Sequence, residues 1–226
     1  MAWLRQRTDF KVEEFSRIIA QKGYIVTWER ATVCPCLKTM TGTGQPDFNC
    51  PLCGGKGRFW HDAQTIKGIM TNFNEQARYN QAGETMAGTS YFTTLPVNKL
   101  GFWDRLTNKH SQVRYSEIIT KGETRGTDKL RFIPLKVDVL RTVTQLYDYG
   151  IDFTVDGETG VIDWKVPGNE PNRGEQYSVE YLMHPRWIVI DLPNVLRDSY
   201  VKAKRPGSTF TPMPVKAVVR LEFFVL

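Results

Sequence analysis

The stretch VKAVVRLEFFV, residues 215–225, alternates apolar and polar side chains and points to the type of fold. Its apolar positions on alternate residues are Ala217, Val219, Leu221, Phe223 and Val225, while Lys216, Arg220 and Glu222 fall mostly opposite. A period of two places one set of side chains on each face of a β-strand. The stretch QYSVEYLM, residues 176–183, repeats the pattern with Tyr177, Val179 and Tyr181. Both stretches predict strands with one buried face.

Most of the chain after residue 58 has the same character. Short runs of β-branched and aromatic residues alternate with turns rich in Gly, Pro and Asn, a pattern typical of barrels and sandwiches. The strands predicted here include residues 75–81 and 129–133. One helix is predicted near residues 10–22, with Gly23 in the left-handed position beyond its end. We therefore expect a mainly β protein of small β-barrel or sandwich modules, with one N-terminal helix.

The order of these patterns predicts four segments in the 226-residue chain. Residues 1–32 form an N-terminal helix and strand, and residues 33–57 form a cysteine-containing loop. Residues 58–135 form a first β-barrel, and residues 136–226 form a second β module that ends in the C-terminal strand. The chain shows neither a glycine-rich phosphate loop nor βαβ alternation, which argues against a nucleotide-driven enzyme.

All four cysteines lie in the predicted loop, as C-x-C followed by C-x2-C. Two close pairs on either side of a hairpin-length connection can bring four thiolates to one tetrahedral centre, and zinc suits such a centre best. Glycines follow the second pair, where a β-carbon would obstruct the approach of backbone N–H groups to sulfur. The predicted ligands of a structural Zn²⁺ are Cys34, Cys36, Cys50 and Cys53, which would make residues 33–57 a zinc-stapled loop in the mainly β protein.

Other states of these cysteines are two disulfides or free thiols, and His61 is close enough in sequence to replace one ligand. Disulfides are disfavoured in a protein made in the cytosol. A catalytic zinc needs an open coordination position, which four thiolates would fill. The sequence therefore predicts a structural metal and no enzymatic activity.

The charge and hydropathy of the chain bear on its surroundings. The formal net charge is +6, which suits a protein near nucleic acid or an acidic protein surface, although the basic residues are spread along the chain. The N-terminal sequence lacks the apolar stretch of a signal peptide, and no apolar run is long enough to span a membrane. We expect a soluble protein made inside the cell and without a membrane partner.

Two stretches resemble virion proteins of tailed bacteriophages. Residues 83–119, with FWDRL at 102–106 and YSEII at 115–119, resemble the small β-barrel of head-completion proteins. The second stretch resembles a β module found in many phage structural proteins, and its motifs are YGIDFTV (149–155), GVIDW (160–164) and GEQYSVEY (174–181).

A third similarity involves the cysteine loop and the strand before it. The strand containing Trp28-Glu29-Arg30 leads into a cysteine cluster with Gln45-Pro46-Asp47, and this arrangement is similar to neck-region proteins of myophage-like particles.

The resemblance implies a structural protein of the phage neck, the head–tail connector. Such proteins form homo-oligomeric rings that join or seal the DNA channel between head and tail. The implied partners are further copies of the chain, portal or adaptor proteins, tail proteins and packaged DNA bound without sequence specificity. The protein would be made in the host cytoplasm and located in the virion. The alternative is a zinc-stapled nucleic-acid-binding protein.

Overall fold

The computed structural model describes residues 12–39, 45–47, 50–72, 87–122, 128–193, 198–201 and 209–225. The helices are α1 (Val12–Lys22), α2 (Cys36–Thr39) and a terminal 3-10 helix (Glu222–Phe224). The strands are β1 (Tyr24–Val33), β2 (Arg58–Asn72), β3 (Thr89–Thr94), β4 (Arg105–Thr107), β5 (Val113–Thr120), β6 (Lys136–Arg141), β7 (Phe153–Val155), β8 (Ile162–Trp164), β9 (Gln176–Met183), β10 (Arg186–Asp191), β11 (Asp198–Val201), β12 (Thr209–Pro212) and β13 (Val215–Leu221). The predicted mainly β architecture with an N-terminal helix is confirmed.

The chain divides into two compact units, and the first contains a closed barrel. The strands follow the order β1-β2-β3-β13-β10-β4, and every neighbouring pair is antiparallel. Apolar side chains from all six strands fill its interior, including Val26, Ile66, Phe92, Leu106, Val189 and Val219. Closure gives each of these strands two hydrogen-bonded neighbours, so the barrel has no open sheet edge.

The second unit, residues 109–185, is inserted between β4 and β10 of the barrel. It contains the three-stranded sheet β5-β9-β6 and the pair β7-β8. The predicted face of β9 is buried, since Tyr177, Val179 and Tyr181 are at most 1% exposed. The Tyr181 hydroxyl donates to the Glu117 carboxylate at 2.8 Å, which gives this buried polar group a partner.

The predicted segment boundaries differ from those of the two units. A barrel was predicted within residues 58–135, whereas the observed barrel also takes β1 from before that range and β10 and β13 from after it. The reason is that β10 and β13 complete the ring between β3 and β4. Pairing between strands so far apart in sequence leaves no mark in the local alternation on which the prediction rested.

Two local predictions about the barrel unit were wrong. Gly23 follows α1 as expected, but its backbone is not left-handed; an added Cβ would lie 2.4 Å from the Ile19 carbonyl oxygen, so close approach explains the glycine. At the other end, β13 stops at Leu221 because Glu222–Phe224 form a 3-10 helix and Glu222 is buried. The predicted strand alternation therefore ends before Phe223 and Val225.

Two other predicted strands are not observed as such. Residues 129–133 form only an isolated bridge at Lys129, and a strand expected at 75–81 lies outside the described residues. No helix in the described ranges is long and apolar enough to cross a membrane.

Candidate metal centre

The cysteine loop is the connection of the β1–β2 hairpin. The pairing of the two strands runs out to Val33 opposite Arg58, so Cys34 is the first residue beyond β1. One further backbone bond, from the Cys34 N–H to the Gly57 carbonyl at 2.9 Å, closes the base of the loop. The two paired strands therefore hold both ends of the loop close together.

The four cysteine sulfurs converge within the loop. All four Sγ atoms lie within 4.8 Å of one another. The Cys34–Cys50 sulfur separation is 3.7 Å and the Cys36–Cys53 separation is 3.6 Å. Zinc–sulfur bonds of about 2.3 Å in a tetrahedron imply sulfur–sulfur edges of about 3.8 Å. The separations thus match a tetrahedral metal site, and they are far too long for the disulfide bonds of about 2.05 Å that were considered from sequence.

The turn that carries Cys50 and Cys53 directs backbone donors at sulfur. The Gly54 N–H donates to the Cys50 carbonyl at 2.8 Å, and Gly54 has a φ of 56°, which favours glycine. Backbone N–H groups of Cys53 and Leu52 donate to the Cys50 sulfur and lower the pKa of that thiol to about 7. This half of the loop is therefore organised to hold a thiolate.

The remaining thiols respond to burial and crowding. Burial, reinforced by the neighbouring sulfurs, raises the pKa of Cys36 to about 12. The Cys36 backbone N–H favours the Cys34 thiolate, yet burial together with Cys50 and Cys53 leaves the pKa of Cys34 raised. Four adjacent thiolates repel one another, so their joint ionisation needs a cation at the centre. A bound divalent metal would supply that charge.

The part of the loop around Cys34 and Cys36 turns tightly and lies close to Gly57 at the other end of the loop. The Leu37 N–H donates to the Cys34 carbonyl at 3.2 Å, which turns the chain into α2 directly at Cys36. A Cβ at Gly57, whose φ is 71°, would lie 3.4 Å from Pro46 and 3.6 Å from Leu37. The short C-x-C spacing is thus accommodated by a tight turn.

His61 lies outside the cysteine cluster, so its proposed role as a substitute ligand is not supported. Its Nε2 is 2.7 Å from the Thr32 hydroxyl, and its Nδ1 is 3.0 Å from the Asp62 carboxylate. The cluster of potential ligands found in the described chain contains Cys34, Cys36, Cys50 and Cys53.

Three residues that support the loop were missed from sequence. Phe59 packs against the cysteines, and Lys56 forms an ion pair with Glu222 at 2.8 Å. A lysine within a glycine-rich turn gave a weak hint of function. Glu222 gave none, because it occupies a polar position in an alternating strand, where exposure is the ordinary expectation.

Comparison with known proteins adds no identification. A scan against protein-family models and a search of the curated proteins both gave no match to this chain. What the structure establishes at this site is a four-cysteine cluster able to hold a metal ion.

Proposed function

We propose that this protein is a structural subunit of the neck of a tailed bacteriophage, where its copies form a ring that joins or seals the head–tail DNA channel. The observation that carries the proposal is a small closed antiparallel barrel that contains the FWDRL turn resembling head-completion proteins. In this barrel Asp104 of that turn is buried and accepts hydrogen bonds from the Trp28 indole N–H at 2.7 Å and the Ala31 N–H at 3.0 Å.

The proposed metal is Zn²⁺, held by Cys34, Cys36, Cys50 and Cys53. Soft thiolates in a tetrahedral arrangement favour this ion, and four of them fill its coordination shell. With no position left for water, the metal would act as a structural staple for the β1–β2 connection. A site of this kind supports an architectural role without enzymatic activity.

The ring is tested by measuring the mass of the native assembly. Native mass spectrometry and negative-stain images should show a closed ring built from a whole number of 26.0 kDa chains. Monomers at every concentration, also in the presence of candidate portal and tail proteins, would contradict the proposal. The same samples report metal content, which separates a failure to assemble from a failure to load the cysteine loop.

A second candidate function is sequence-independent binding of nucleic acid, which the net charge of +6 favours. Contacts to phosphate would release counterions, so the affinity for unrelated DNA sequences should be equal and should fall steeply with salt. Absence of binding at low salt eliminates this candidate.

A further inference from the structure

The turn before β4 holds Trp103 in a backbone conformation that side-chain-bearing residues rarely adopt. Its φ is 71°, in the left-handed region. Glycine occupies this region freely, whereas a tryptophan there is disfavoured by its Cβ. Strained residues persist only where surrounding contacts impose them, and such residues concentrate at functional sites.

Hydrogen bonds on both sides of Trp103 impose this conformation. The Trp103 N–H donates to the Val189 carbonyl at 2.8 Å, and the Trp103 carbonyl accepts from the Trp60 indole N–H at 2.9 Å. The next residue, Asp104, is 4% exposed, and its carboxylate accepts from the Gly101 N–H at 2.7 Å. The barrel thus fixes the direction in which the Trp103 side chain leaves the turn.

The Trp103 ring stacks against the guanidinium group of Arg58. Arg58 Cζ lies 3.9 Å from the centre of the Trp103 ring, a stacked arrangement that limits the motion of the arginine side chain. Two exposed apolar side chains are neighbours of this pair. Phe102 precedes Trp103 in the chain and is 55% exposed, and Val33 lies opposite Arg58 on β1 and is 57% exposed. The Arg58–Trp103 pair is therefore an oriented cation in a partly apolar surface.

Among the residues that the structure describes, Arg58 has no carboxylate partner, unlike Lys56 and Arg105. Lys56 pairs with Glu222 at 2.8 Å, and Arg105 pairs with Glu29 at 2.7 Å. Within the described ranges, no carboxylate lies within ion-pair distance of the Arg58 guanidinium. Burial lowers the pKa of Arg58, as expected for a cation that has lost part of its hydration and gained no counter-charge.

We propose that the Arg58–Trp103 pair receives a carboxylate from a second copy of this chain. A fixed guanidinium can bind a carboxylate through two parallel N–H donors, and Arg and Trp are prominent among residues that dominate protein interfaces.

A single uncompensated cation beside Phe102 and Val33 suits one carboxylate within an apolar contact. A polyanion such as DNA calls for several free cations, whereas Lys56 and Arg105 are already neutralised. The inference rests on the ring proposed above and names one of its contacts.

The experiment compares the assembly of the wild-type protein with that of Arg58→Glu. Native mass spectrometry over a dilution series should give a subunit dissociation constant raised at least about tenfold, the effect of losing one important interface contact. The matched control is Arg30→Glu, which makes the same charge change on the opposite face of the β1–β2 hairpin. Arg30 lies opposite His61, and His61 is three positions from Arg58 on β2, so the two side chains point to opposite faces. We expect its dissociation constant to change less than about twofold.

A second variant separates binding from folding. Trp103→Gly removes the ring but places a glycine at a φ that glycine adopts freely. We expect this variant to keep a cooperative unfolding transition and the near-ultraviolet spectrum of a folded barrel, with an assembly defect like that of Arg58→Glu. A fully assembled Trp103→Gly would overturn the proposed role of the pair.

The outcomes distinguish this contact from the ring itself. If the wild type assembles and Arg58→Glu assembles equally well, the contact is wrong and the ring stands. If the wild type remains monomeric throughout, both are wrong. A parallel titration with a double-stranded oligonucleotide at low salt covers the other anion: weakened DNA binding by Arg58→Glu with unchanged assembly would assign Arg58 to DNA and overturn the proposal.

Discussion

The Lys56 ammonium lies 2.8 Å from the Glu222 carboxylate and connects the cysteine loop to the residue that follows β13. Glu222 is completely buried, and its second oxygen, Oε2, has no hydrogen-bond partner. Arg186 Nη1 is 3.9 Å from that oxygen and contributes at longer range. The charge of Glu222 therefore depends chiefly on a lysine that is three residues from Cys53.

Replacing Lys56 with Met should destabilise the barrel unit by about 3 kcal/mol, because a buried carboxylate would lose its closest cation. The value is at the low end of the range for buried pairs, since 27% of the Lys56 side chain is exposed. Urea unfolding at pH 7 measures the change. The control Lys136→Ala breaks the ion pair of an exposed lysine with Asp138 and should leave the urea unfolding curve almost unchanged. Equal losses in the two variants would contradict the role assigned to Lys56.

Acid should destabilise the wild type more than Glu222→Gln. Burial alone would raise the pKa of Glu222, but the charge and hydrogen bond of Lys56, together with the charges of Arg186 and Arg105, outweigh it and leave this pKa below its ordinary value of 4.5. The unfolded chain then binds the proton more readily, so the stabilisation is present above pH 4.5 and is lost as pH falls through the lower folded value. Urea unfolding between pH 3 and pH 6, roughly the window around carboxylate titration, should show a steeper decline for the wild type. Parallel curves would refute this.

How far the sequence predicts this fold depends on how local each contact is. The strand at residues 24–33 and the alternation in β9 could be predicted because each pattern lies within one segment. The three-residue β4 could not, since its pairing comes from β1 on one side and β10 on the other. Closure of the barrel through β13 is likewise a contact between distant parts of the chain.

At the candidate site, too, contacts within one segment could be predicted and contacts between distant segments could not. The cysteine spacing predicted which four side chains converge, because the ligands lie within one hairpin connection. The support from Glu222 could not be predicted, since it lies 166 positions from Lys56 in the chain. Likewise, nothing in the sequence around Asp104 reveals that its carboxylate accepts a hydrogen bond from the indole N–H of Trp28 in β1.

Asp104→Ala should cost about 3 kcal/mol or more, since each buried donor that loses its acceptor is expensive. The donors are the indole N–H of Trp28 and the backbone N–H groups of Ala31 and Gly101. Thermal and urea unfolding measure the loss. The control is Asp163→Ala on the exposed side of β8, where we expect a change within about 0.5 kcal/mol. An Asp104→Ala protein as stable as the control would contradict the account of this turn.

Cys53→Ser should lose the metal and loosen residues 33–57 while the β core stays folded, because the barrel strands supply their own core. Limited proteolysis should reveal new cleavage confined to that loop. The control His61→Ala should keep its metal, since His61 lies apart from the sulfur cluster. Unchanged protease resistance of the loop in Cys53→Ser would show that the metal does not organise it.

The most direct test of the metal centre is X-ray absorption spectroscopy of the purified native protein, combined with elemental analysis of the same sample. We predict one zinc per chain, surrounded by four sulfur atoms at about 2.3 Å. A metal-free protein with oxidised cysteines, or a zinc with nitrogen or oxygen in its first coordination shell, would contradict the four-thiolate centre.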